Sequence, residues 1–133
     1  MTDLADLIAR VEGATEGSRE LDEVLTAWAV GATRQEDATF DHKPAYHRDG
    51  SWVSIEPVTP LTTSMDAAVA LIDQKMPGTF WHVAKGRMTA TEPLFGAALF
   101  FGADEELGHG ESFNAATSLV LALLRSLQAG AQN

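Results

Sequence analysis

Residues 60–86 read PLTTSMDAAVALIDQKMPGTFWHVAKG, a run that holds a helix start, an apolar helical stripe, a stop and an aromatic strand in succession. Thr63 or Ser64 can accept a first-turn N–H, and Asp66 just inside adds a carboxylate where the helix dipole is positive. Met65, Ala68, Val69, Ile72 and Met76 then recur at the spacing of one helical face, with Asp73, Gln74 and Lys75 left to water. Pro77 cannot donate the next helical hydrogen bond, and Gly78 turns the chain readily. Phe80, Trp81 and Val83 follow with the aromatic and β-branched side chains that suit a pleated, half-buried surface. The stretch predicts helix, tight turn, strand.

Working outward toward the N-terminus, Leu4, Leu7, Ile8 and Val11 form a short apolar stripe, with Thr2 or Asp3 as cap. Residues 13–17 break it, and Ser18 can cap a second helix striped by Leu21, Val24, Leu25 and Trp28. An αα-hairpin follows from two such helices a few residues apart. From Gly31 to Tyr46 the pattern is polar and irregular, which predicts a loop. Asp49-Gly50 predicts a turn, with Tyr46 on one arm and Trp52, Val53 and Ile55 on the other.

Toward the C-terminus, Leu94 to Phe101 (LFGAALFF) is apolar at both alternating sets of positions, so it predicts a central strand buried on both faces. GADEELGHGES reads as a loop, and Asn114 to Gln128 as a core helix whose stripe exceeds half its circumference. The order is α-α-β-α-β-β-α in one domain covering residues 1–133. The expected class is α/β or α+β, arranged as a three-layer α/β/α sandwich around a small, mostly antiparallel sheet. The other arrangement compatible with the doubly apolar strand has helices on one face and a partner subunit on the other.

Composition narrows the function classes. The chain has 133 residues and is 45% hydrophobic, enough for one real core. It contains no cysteine, which removes disulfides, thiolate metal sites and thiol catalysis. A formal charge of −10, from nine basic and 19 acidic residues, repels phosphate backbones, so no nucleic-acid partner is expected. No apolar run approaches the length of a membrane helix, and residues 1–11 carry acids where a signal peptide carries bases. A cytoplasmic protein without a membrane partner is expected.

Several stretches resemble the phage α/β/α sandwich domain family, small proteins of bacteriophages and prophages. They are Thr-Thr-Ser-x-Asp-Ala-Ala at Thr62 to Ala68, the Pro-Gly and Trp-x-Val pattern at Pro77 to Val83, AATSLVLALLRSL in the last helix, and the opening LADLIARVEGATEGSRELD. The resemblance implies an α/β/α fold and a phage or prophage setting, and brings no catalytic residue with it.

The candidate chemistry lies in the histidines and one glycine-rich stretch. Asp41, His42, His47 and Asp49 have the residue types of a zinc site but lack the fixed helical spacing of a metal motif, so no metal or other cofactor is assigned to them. His82 beside Trp81 is a strand histidine that could face a pocket. Gly108, His109, Gly110 and Ser112 precede the last helix, whose free N–H groups attract anions. No phosphate-loop pattern or neighbouring Lys or Arg supports this, and nearby acids oppose it. Ser112 and His109 suggest a nucleophile and base without an elbow motif or third triad member. Ligand contact is therefore assigned to His82, Gly108, His109, Gly110 and Ser112, and catalysis to no residue.

Two functions remain. The first is a non-catalytic phage accessory protein that binds a host protein or a small ligand, as in counter-defence. The second is a small hydrolase or nucleotide-binding enzyme using His82, His109 and a carboxylate. Surplus apolar surface from Trp28, Trp52, Trp81 and the last helix predicts a homodimer.

Overall fold

The computed structural model describes residues 3–40, 43–86, 95–102 and 105–132. Its elements are α1 (Leu4–Gly13), α2 (Arg19–Ala29), β1 (Thr33–Phe40), β2 (Lys43–Arg48), β3 (Ser51–Val53), α3 (Met65–Lys75), β4 (Phe80–Lys85), β5 (Phe95–Phe101), β6 (Glu105–Ser112) and α4 (Ala115–Gln132). The mixed α+β class, the antiparallel pairing and the broad order of elements are those the sequence indicates. The helix starts follow the local chemistry: Asp3, Ser18 and Ser64 accept N–H groups from Ala5, Leu21 and Ala67. The third helix stops two residues before Pro77, and Gly78 takes φ +83°.

Two expected loops are strands. Residues 33–40, within the segment read as irregular, pair with β2 in the register Thr33↔His47, Arg34↔Tyr46 and Gln35↔Ala45. A polar edge strand has no apolar alternation to reveal it, and its stability comes from the partner it pairs with. The Asp49-Gly50 turn then joins β2 to β3 as expected, both residues at positive φ. The second case is β6, which lies antiparallel to β5 along GHGES. Its glycines suggest a loop in sequence but serve a different purpose in space. A Cβ on Gly108 would stand 2.8 Å from the Ser126 nitrogen, and one on Gly110 would stand 2.7 Å from Leu121 Cβ. They let α4 lie directly on the strand.

The strands form two separate sheets, β1-β2-β3 and β4-β5-β6. One face of β4-β5-β6 carries α4, and α1 and α3 pack against α4 rather than against the sheet. Helix α4 is therefore the middle layer, which is why Leu119 to Leu124 are buried at six consecutive positions. The helices stand on one side of this sheet, and among the described residues no helix covers the other. At the centre of β5, Ala97, Ala98 and Leu99 are all buried, whereas Phe101 at its end is exposed. A smaller core of Ala27, Ala32, Tyr46 and Ile55 joins α2 to β1-β2-β3. Among the described residues no helix is long and apolar enough to cross a membrane.

A buried polar knot ties the layers together. The Asp22 carboxylate accepts from both the backbone N–H and the hydroxyl of Thr62, each at 2.8 Å. The Thr62 carbonyl in turn accepts from Asn114 Nδ2 at 2.8 Å and from Thr117 Oγ1 at 3.0 Å. Since Thr62 and Thr117 are fully buried, each of these groups depends on the others for its solvation.

Candidate functional site

Strand alternation divides the predicted ligand residues between two faces of one sheet. His82 and His109 are both cross-strand partners of Ala98, on the face away from α4. Gly108, Gly110 and Ser112 belong to the opposite set of positions, against α4. Ser112 and His109 therefore do not form a nucleophile and base. The N-terminus of α4 is also occupied from within: Asn114 Oδ1 accepts from the Thr117 N–H at 2.8 Å, and Asn114 is itself held by Thr62.

On the outer face, the His82 ring stacks on Phe100 at 5.2 Å between centroids. His109 Nδ1 lies 4.0 Å from Glu106 Oε2, and the His109 carbonyl accepts from Arg125 Nη1 at 3.0 Å. A shallow depression of about 590 Å³ runs between His82, Lys85, Gly96, His109 and Glu111. Asp41 and His42 lie outside the described residues. His47 is on β2, its ring edge-on to Trp52 at 6.2 Å. Among the described residues no group of three or more His, Asp or Glu side chains is placed to hold a metal ion.

The better-formed site is one the sequence reading did not assemble. A cleft of about 500 Å³ opens between α2 and the β2-β3 hairpin. Tyr46, Val53 and Ile55 give it an apolar lining, and Trp52, 55% exposed, stands at its edge. Its charged rim is Arg19, which bonds Glu23 at 3.3 Å and Glu56 at 3.0 Å and so ties α2 to the chain after β3. A second cleft, of about 680 Å³, shares Glu23 and Tyr46 with it and adds Arg10 and Arg34.

Glu23 and Tyr46 are common to both clefts, and Tyr46 is the one whose acidity is perturbed. Burial raises its phenol above the ordinary tyrosine value, the Glu23 carboxylate raises it further, and Arg34 opposes them. Like any tyrosine, Tyr46 is neutral at physiological pH, and the upward shift reports its burial in the cleft wall. An apolar cavity with a few convergent polar groups and one perturbed phenol is suited to holding a flat ring, and its members come from three elements. The signal that could have found it is Val53-x-Ile55 opposite Tyr46, alternate positions that mark one face of a hairpin laid on α2.

No family model, curated protein or solved structure matches this chain. The class is set by the fold itself, which among the described residues is mixed α+β with two three-stranded antiparallel sheets.

Proposed function

We propose that this is a non-catalytic accessory protein that acts by binding, with the Tyr46–Trp52 cleft as its ligand site. The observation that carries the reading is the cleft itself, an apolar pocket with an exposed tryptophan at its edge and a closed ion-pair rim. The hydrolase reading asks for His82, His109 and a carboxylate together, and these do share one shallow depression with Glu106 and Glu111; only the Ser112–His109 pair is ruled out, its members lying on opposite faces. Because Arg19 is shared by two carboxylates on a chain of charge −10, the cleft favours a flat apolar group that is neutral or cationic over a phosphate. That group is supplied by a free small molecule or by an aromatic side chain of a host protein. The phage or prophage setting, and counter-defence within it, follow from the family resemblance alone. We further read the chain as a homodimer, on the strength of exposed Phe80, Trp81 and Phe101.

Titrating ¹⁵N-labelled protein with neutral, cationic and anionic bicyclic aromatic fragments tests the site. Shifts are expected at Ala45, Tyr46 and residues 52–55 for the first two classes, and to disappear in Trp52→Ala. Shifts clustered on the outer face of β4-β5-β6, or tightest binding by the anionic set, would overturn the assignment. An aromatic-containing peptide library run against the same residues separates a host-protein side chain from a free ligand.

A further inference from the structure

The dimer reading can be taken to a particular surface by comparing strand edges. Among the described residues, β4 and β6 are the two edges of their sheet. The β6 edge carries Glu105, Glu106 and Glu111, three like charges on a chain already at −10. Two such edges repel, and charge on an edge is the usual protection against unwanted pairing. In the other sheet, the pairing of β1 slips register between Gln35 and Thr39, and β3 is only three residues long. Strand β4, FWHVAK, has no acid, no proline and no bulge, and a single lysine at its end. Five of its six residues are exposed, with Phe80 at 64% and Trp81 at 38%.

We propose that two copies of this chain join through β4, the strands running antiparallel about a two-fold axis and making one six-stranded sheet. The inference rests on the dimer reading and adds the interface. An axis normal to the sheet keeps each face on its own side, so only residues of like facing can meet across it. Centring the pair on Val83 satisfies this. It places Val83 opposite Val83, His82 opposite Ala84 of the second copy, and Trp81 opposite its Lys85. The last pair sets an ammonium beside an indole, an attractive contact, and no lysine faces a lysine. Both outer faces then lie on the same side of the assembly, and both Tyr46 clefts stay open because they belong to the other sheet.

One six-residue strand per copy makes a small interface, so association is expected at the weak end of the range and is to be measured up to about 100 µM. Since the protein has no cysteine, single-cysteine variants report contacts without background. Under mild oxidation Val83→Cys is expected to form a disulfide-linked dimer, whereas Glu111→Cys, on the opposite edge, is not. The double variant His82→Lys/Ala84→Lys alters only exposed positions and sets lysines against each other twice, so it is expected to weaken dimerisation about tenfold while leaving the circular dichroism unchanged. A wild-type protein that stays monomeric in sedimentation equilibrium would sink the dimer reading and the interface together. A wild-type dimer that the double variant does not weaken, or that cross-links through Glu111→Cys, would leave the dimer standing and refute the β4 interface.

Discussion

The two sheets meet their helices in opposite ways. Helix α4 sits so closely on β6 that two positions beneath it, Gly108 and Gly110, must be glycine, whereas α2 is held off β1-β2-β3 by Tyr46 and Ile55 and leaves a cleft. Both arrangements bury apolar surface, but only the first uses all of it for stability. The difference shows why the ligand site is sought beside the smaller core: a ligand can enter where side chains, and not backbone, set the spacing.

The comparison is broken most severely by a cavity on the tight side. Leu123 in α4 is fully buried, and Leu123→Ala is expected to cost about 2–5 kcal/mol, read as a fall in the urea midpoint. An unchanged midpoint would show that α4 is not the middle layer. Next in size is overpacking at the same contact. Gly110→Ala would place a methyl within 2.8 Å of backbone atoms of α4, and it is expected to destabilise by about 1–3 kcal/mol. Gly96→Ala is the internal control, because its new methyl would meet nothing nearer than Glu111 Cγ at 4.0 Å. That change is expected to be neutral, or stabilising by up to about 1 kcal/mol. Equal losses from the two alanines would mean that strand conformation, and not helix contact, selects the glycines.

What the sequence made legible was local. Ser18 and Ser64 cap helices through N–H groups three residues away, and Pro77 stops one through its own ring, so each signal is complete within a few positions. The wide stripe of α4 was legible too, since only a helix covered on several sides can be apolar at so many positions. Strand β1 was not, because TRQEDATF has its reason in β2. Gly108 and Gly110 misled because glycine marks both loops and close approach, and which of these applies depends on Ser118 to Ser126 lying above them. Of the site residues, His82 and His109 do share a face, but the cleft draws on Arg19, Tyr46 and Trp52, and nothing in their spacing announces that these meet.

The smallest expected effect sharpens the open side of the comparison. Tyr46 is the chain's one tyrosine, so the phenolate absorbance band reports it alone. Its phenol is raised in the folded state, chiefly by burial and then by Glu23, so in the unfolded chain the proton leaves first, near the ordinary value of about 10. Above that pH the unfolded state binds fewer protons than the folded one, and stability must fall as pH rises. Tyr46→Phe removes this contribution. Near neutrality it is expected to change stability by no more than about 1 kcal/mol, the usual net worth of one hydroxyl. As pH rises past about 10 its urea midpoint should fall less steeply than that of the wild type, because the phenol can no longer ionise in the unfolded chain. Parallel midpoint curves, together with an absorbance titration at the ordinary tyrosine position, would show a solvated phenol. The α2 side of the cleft would then be more open than the apolar lining implies, and the ring-binding assignment would lose the burial it relies on.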